Sequence, residues 1–79
     1  MYMYQNYVTK DLYLSAYLRI KGLKFKVVKS GNSTDFEFEK TSDLLKYVNE
    51  YLTGDGSCDP LDYTNAIKNI KNIIHNHSL

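Results

Sequence analysis

The residues with the most obvious chemical potential are two histidines and one cysteine in the C-terminal third. His75 and His77 form an H-x-H pair, and Cys58 is the one soft ligand in the chain. A stable metal site needs a third or fourth ligand held in fixed geometry. The sequence supplies no such set. We therefore predict no metal site, no internal disulfide and a solvated C-terminal tail that carries both histidines.

An acidic loop invites comparison with a calcium site. Asp55, Ser57 and Asp59 have the alternate spacing of oxygen ligands. An EF-hand loop also needs Gly at its sixth position and an acidic ligand at its twelfth, where this chain has Pro60 and Ala66. The calcium interpretation therefore fails, and Asp59 is predicted to cap a helix that begins at Pro60.

Nucleophilic chemistry has equally little support. Cys58 has no identifiable acid or oxyanion loop beside it, and a loop position alone does not indicate a reactive thiol. Asp11, Ser15 and Arg19 lie four residues apart, which predicts a polar surface network along one helix face. We also expect so small a domain to lack a pocket of about 300 Å³. The sequence therefore predicts no enzymatic activity, no cofactor and no small-molecule substrate.

A nucleic-acid interface is the alternative function that the charge distribution permits. Residues 1–30 hold six basic groups and one acid, residues 31–62 hold two basic groups and eight acids, and the whole chain has a formal charge of +1. Lysines near tyrosines are typical of phosphate contacts beside a stacking face. The candidate phosphate contacts are Lys10, Arg19, Lys21 and Lys29, with Lys24 and Lys26 nearby. The near-neutral total charge and the single arginine weigh against this function.

Contact with another protein is the function that the composition favours. The chain has eight tyrosines among 79 residues, and tyrosine is enriched in interface cores. A domain of this length also buries a small fraction of its surface and is marginal on its own. The candidate contact residues are Tyr2, Tyr4, Tyr7 and Tyr47. We expect a homodimer or a partner-bound state that uses the N-terminal tyrosines.

Hydrophobic spacing predicts the elements that position these residues. The stretch 9–22 is apolar on most sides, which indicates a central helix with Thr9 as its N-cap and Gly22 after its last turn. The other predicted elements are a hairpin over residues 23–40, a helix over 41–54 and a helix over 59–75. The expected fold is a single α+β domain, residues 1–79, in the order α-β-β-α-α, and residues 1–8 are placed to add a third strand.

The register of the hairpin follows from a two-residue turn at Gly31-Asn32. If Ser30 faces Ser33, apolar residues pair on one face and opposite charges pair on the other. The predicted pairs are Val27 with Phe36, Phe25 with Phe38, Lys26 with Glu37 and Lys24 with Glu39. A slip of one residue would lose every one of these matches.

The first helix and the hairpin also carry a resemblance to a known family. It rests on the run T-K-D-L-Y-L-S-A-Y-L, a glycine a few residues later and the hairpin end F-E-F-E. These resemble a family of small uncharacterised proteins from bacteria, archaea and their viruses, known only as a domain of unknown function. The resemblance implies the order of helix, two strands and two helices, and it assigns no catalytic residue.

The setting of the protein is predicted from its residue usage. Nine lysines to one arginine, with many Asn, Ile and Tyr, indicate A/T-rich codons and a phage or mobile element. In such a setting we expect a regulator or inhibitor of a host system such as defence. The N-terminus lacks the pattern of a secretion signal, and no apolar run approaches the ~20 residues that span a bilayer. These features predict a cytoplasmic protein without a membrane partner.

Overall fold

The computed structural model describes residues 6–77, except for the side chains of Ser30 and His77. Within this range three strands and three helices follow one another in the order β1-α1-β2-β3-α2-α3. The strands are β1 (Asn6–Thr9), β2 (Phe25–Ser30) and β3 (Ser33–Glu39), and the helices are α1 (Leu12–Ile20), α2 (Ser42–Thr53) and α3 (Pro60–His77). The predicted α+β fold is confirmed, and the N-terminal segment does supply a third strand.

Helix α1 occupies the centre of the fold. Its residues 14–18 are all buried, whereas a helix with one neighbour buries only a stripe. It packs against α2 and α3, and its side chains join Phe36 and Phe38 of β3 in one core. Ser15 is 0% exposed, and its hydroxyl donates to the Asp11 carbonyl at 2.9 Å. The predicted surface network through Ser15 is therefore wrong, because α1 is covered on that side too.

The N-terminus of α1 differs from the prediction. Thr9 belongs to β1, so the helix begins only at Leu12. The Asp11 carboxylate accepts the N–H groups of Tyr13 and Leu14 at 3.0 and 3.1 Å, which makes Asp11 the N-cap. Thr9 instead accepts the N–H of Asp11 at 3.1 Å. The prediction of Thr9 as the cap is wrong because pairing with β3 extends the strand up to it.

The other helix ends lie at the predicted capping residues. Gly22 has a φ of 94° directly after the C-cap of α1, a conformation that favours glycine. Thr41 accepts a first-turn N–H of α2 at 3.1 Å, and Gly54 follows that helix with a φ of 82°. Asp59 accepts a first-turn N–H of α3 at 3.0 Å, just before Pro60. These caps fix where each helix enters the core.

The sheet is antiparallel with the strand order β1-β3-β2. The acidic strand β3 is therefore central, and β2 and β1 form the two edges. The predicted register is confirmed for the pairs Ser30–Ser33, Val27–Phe36, Phe25–Phe38 and Lys26–Glu37. Lys24 lies just before β2, so the predicted pair with Glu39 is outside the ladder.

Helix α2, predicted over residues 41–54, buries only some of its apolar side chains. Leu44 and Val48 enter the core, but Leu45 and Leu52 are 46% and 70% exposed. A helix that meets the rest of the fold along a narrow line buries only the residues on that line. Helix α2 is therefore more exposed than its sequence indicates.

Candidate interaction site

The outer edge of β2 is one of the two open edges of the sheet. Among the described residues, strand β2 pairs with β3 on one side and, being terminal in the strand order, with no strand on the other. Within the described residues, no other backbone group donates to or accepts from its outer edge. The edge of a sheet presents unpaired N–H and C=O groups that are able to bind an added strand.

The hairpin turn determines which backbone groups of β2 point outward. Gly31 has a φ of 61°, and in the described chain only glycines have a positive φ, so the turn has the glycine-first form of a two-residue hairpin. The pair that closes such a turn is hydrogen bonded, and the bonding of the pairs then alternates along the ladder. Consequently the N–H and C=O groups of Phe25, Val27 and Lys29 point away from β3.

A groove runs along this edge, between β2, the end of α1 and the last third of α3. We call it the β2 groove, and its lining residues are Arg19, Lys24, Phe25, Lys26, Val27 and Ile73. Its volume is about 510 Å³, and it adjoins a hollow of about 210 Å³ that shares Arg19, Phe25 and Ile73. The groove is larger than the pocket of about 300 Å³ that we expected so small a domain to lack, but it is widely open to solvent and does not enclose a ligand.

The floor of the β2 groove is apolar. Phe25 contacts the buried rings of Phe36 and Phe38, with centroids 5.3 and 5.4 Å apart, but it is itself only half-buried. Val27 is half-buried beside it, and Ile73 of α3 is 38% exposed. These three side chains leave apolar surface in water next to open backbone groups.

The rim of the β2 groove is predominantly basic. Arg19, Lys24 and Lys26 line the groove, and Lys29 is exposed farther along the same strand. Asp62 is the one acidic residue among the lining residues of the groove and the adjoining hollow. On the inner side of β2, Glu37 and Glu39 line a hollow with Lys24 and Lys26 and offset part of their charge. The positive charge that remains around the groove favours a negatively charged ligand.

The four candidate phosphate contacts lie in different surroundings. Lys10 forms an ion pair with Asp35 on the sheet. The ammonium of Lys21 donates to the Ser57 carbonyl at 3.0 Å and lies over the rings of Tyr17 and Tyr47. The remaining two, Arg19 and Lys29, lie near β2. The structure does not assemble the four into one phosphate-binding surface.

The four candidate tyrosines are also separated. Tyr2 and Tyr4 lie outside the described residues. Tyr7 is half-buried in β1 opposite Phe38 and packs against the core. Tyr47 of α2, the fourth candidate contact residue, is half-buried, with Lys21 and Lys46 over its ring. The described tyrosines therefore contribute mostly to the core.

A cluster of tyrosines between α1, α2 and the first turn of α3 has a structural role. The Tyr17 hydroxyl donates to Glu50 at 3.2 Å, and burial together with this carboxylate raises the pKa of Tyr17. Burial, assisted by the neighbouring Tyr51, raises the pKa of Tyr63 to about 12, and the Tyr63 hydroxyl donates to the Tyr13 carbonyl at 3.1 Å. Both hydroxyls are therefore protonated donors at neutral pH.

Glycine is required next to this cluster. A Cβ at position 56 would lie 2.2 Å from the Tyr17 hydroxyl oxygen. Real Cβ atoms do not approach that closely, so Gly56 allows the loop to close over the ring. The sequence indicates only an acidic loop here, because the contact between Gly56 and Tyr17 joins residues that are far apart in the chain.

The other chemically interesting residues are not brought into a site. The Asp55 carboxylate accepts a hydrogen bond from the Thr53 hydroxyl at the end of α2, and Asp59 caps α3. Helix α3 continues to His77 instead of fraying near His75, and the His75 side chain is exposed. In the part of the chain that the structure describes, no three His, Cys, Asp or Glu side chains are grouped to hold a metal ion.

Comparison with known proteins identifies a family whose profile covers nearly the whole chain. Residues 4–76 match the sequence profile of a domain of unknown function, DUF5659. No curated protein and no solved structure is significantly similar. Among the described residues, no helix combines the length and apolar character needed to cross a membrane. Because the profile covers nearly the whole sequence, the chain belongs to the DUF5659 family of domains of unknown function.

Proposed function

We propose that this protein is a non-enzymatic binding module that acts through contact with another protein, and that the β2 groove is its contact surface. The observation that carries the proposal is the open edge of β2 beside half-exposed Phe25, Val27 and Ile73. Proteins normally cover, twist or shorten such an edge or place lysines on it, since it invites strand pairing. Strand β2 has lysines but no cover, and an uncovered edge next to apolar surface can bind a partner chain by strand addition.

Protein contact has better support than the nucleic-acid alternative. Non-specific nucleic-acid binding needs several free cations along one surface. Here Lys10 is paired with Asp35, and Lys21 is held over two tyrosine rings. The cations that remain near the groove surround an apolar floor, whereas a phosphate backbone prefers a polar one. The crosslinking experiment below therefore includes nuclease treatment, which distinguishes nucleic-acid adducts from protein adducts.

The biological setting extends the same proposal. A module of this size suits an accessory protein that regulates or inhibits another protein. An origin in a phage or mobile element, action on a host defence system and a cytoplasmic location remain predictions from residue usage and size. The homodimer also remains a prediction, because its expected contacts Tyr2 and Tyr4 lie outside the described residues.

Site-specific photocrosslinking tests the proposal. A benzoylphenylalanine in place of Ile73 puts the reactive group in the β2 groove, and the same group in place of Lys71 points about 160° away on α3 and serves as the matched control. In lysate of the source cell we expect protein adducts at position 73 that are absent at position 71. Adducts that disappear on nuclease treatment, or the same adducts at both positions, would overturn the proposal.

A further inference from the structure

We infer that the occupant of the β2 groove is an extended acidic segment of the partner, which pairs with β2 as a fourth strand of the sheet. The inference rests on the proposed function, since it specifies the partner at the same groove. It follows from three features: the direction of the free backbone groups, the charges around the groove and the strand that β2 already binds on its other side.

The backbone of β2 offers a complete set of strand-pairing groups. Phe25, Val27 and Lys29 each direct an N–H and a C=O outward, in the alternating pattern that an added strand needs. Alternate side chains of that strand would project to the same side as Phe25 and Val27, against Ile73. The remaining side chains would project to the side of Lys26. The groove thus specifies apolar and polar residues in alternation.

The inner partner of β2 indicates the chemistry of the outer one. Strand β3 reads S-T-D-F-E-F-E, with its phenylalanines opposite Phe25 and Val27 and Glu37 opposite Lys26. A strand of the same pattern on the outer edge would place rings over the apolar floor. Its carboxylates would lie near Lys24 and Lys26, on the basic rim. Charge complementarity therefore selects an acidic segment.

A second copy of this chain does not meet these requirements. Pairing of β2 with another β2 would bring Lys26 and Lys29 close to the same cations, and like charges on facing strands are destabilising. The other edge, β1, reads N-Y-V-T and carries no charge. Lysines on an edge strand protect it against basic or neutral neighbours. They leave the edge open to an acidic one.

A peptide with the sequence STDFEFE provides a defined probe. We expect the fluorescein-labelled peptide to bind the full chain in an anisotropy assay, and a matched STKFKFK peptide to bind at least tenfold more weakly. Backbone N-methylation then tests strand pairing directly, because it removes N–H donors without changing side chains. Methylation of the alternate residues whose N–H groups face β2 should abolish binding. Methylation of the other residues, whose N–H groups face solvent, should leave binding within about twofold.

Variants of the protein test the same contacts from the other side. Arg19→Gln with Lys24→Gln should weaken binding of the acidic peptide about fivefold, whereas the control pair Lys68→Gln with Lys71→Gln should not change it. Lys29→Pro removes an outward N–H and should weaken binding more than Lys29→Gln, which removes only the charge. If the proline variant does not fold, the methylated peptides still test the wild-type chain.

The outcomes separate this inference from the proposed function. Equal binding of the acidic and basic peptides, or tolerance of both methylation patterns, would overturn strand addition even if crosslinking at position 73 captures a protein. Specific binding of the acidic peptide without any protein crosslink would support the strand site and count against the proposed cellular function.

Discussion

Phe38 is the side chain whose truncation tests the fold most directly. It is 1% exposed in the central strand, between Tyr7 on one side and Phe25 on the other. A buried phenylalanine removes about 200 Å² from water, which corresponds to about 5 kcal/mol at roughly 25 cal/mol per Å². An alanine side chain keeps a small part of this burial energy and leaves a cavity. Phe38→Ala is therefore expected to lower the free energy of unfolding by about 3–5 kcal/mol. A domain of 79 residues has only about 4–12 kcal/mol in total.

Urea denaturation followed by circular dichroism measures this loss. We expect Phe38→Ala to be largely unfolded or to have a strongly lowered midpoint. Phe25→Ala, at the half-buried edge position, should lose about half as much. Glu39→Ala is the matched control, because it is exposed beside Phe38 and should change stability by less than about 0.5 kcal/mol. A loss below about 1 kcal/mol for Phe38→Ala would refute the packing of β3 against the helices.

Three further predictions concern charge, pH and association. Exchanging Lys26 and Glu37 should leave stability nearly unchanged, while Lys26→Glu alone should lower it by about 0.2–1 kcal/mol in urea denaturation; equal losses would contradict the register. The contribution of Tyr63 to the free energy of unfolding should be constant well below pH 10 and should fall as the pH rises towards 12. The reason is that the folded chain holds the Tyr63 proton, with a pKa of about 12, more tightly than the unfolded chain, with a pKa of 10.0. Tyr63 contributes at most about 1.4 kcal/mol per pH unit to the slope, and Tyr17, whose pKa is also raised, adds a fall of the same sign. Tyr63→Phe should therefore reduce the slope, and an unchanged slope would contradict this origin. If the N-terminal tyrosines form a homodimer, sedimentation should show a dimer for the full chain and a monomer after deletion of residues 1–5, which leaves β1 intact. A monomer in both cases at high micromolar concentration would remove that prediction.

The hairpin was predictable because several local signals specify the same register. The turn at Gly31-Asn32, the apolar pairs and the pair Lys26–Glu37 all depend on residues close together in the chain. The central position of α1 was predictable for a similar reason, since apolar residues surround most of its circumference. The prediction of Thr9 as the cap of α1 failed because Thr9 pairs with Phe36 of β3, which is far away in sequence.

The β2 groove was not predictable from local patterns. It exists because Ile73 of α3 comes to lie beside Phe25 of β2, and nothing in either segment indicates the other. A hint was present in the sequence: β2 is a lysine-rich strand, and the hairpin places an acidic strand along only one of its two edges. The tyrosines, by contrast, were read as contact residues because composition cannot distinguish an interface core from the core of the domain.

Amide hydrogen exchange in β2, followed by NMR, tests the central claim most directly. In the free protein we expect slow exchange at Lys26, Val28 and Ser30, whose N–H groups point to β3, and fast exchange at Phe25, Val27 and Lys29. Addition of the STDFEFE peptide should then slow exchange at the second set and leave the first set unchanged. Protection of Phe25, Val27 and Lys29 in the free protein, or no change on addition of a peptide that binds, would contradict the account.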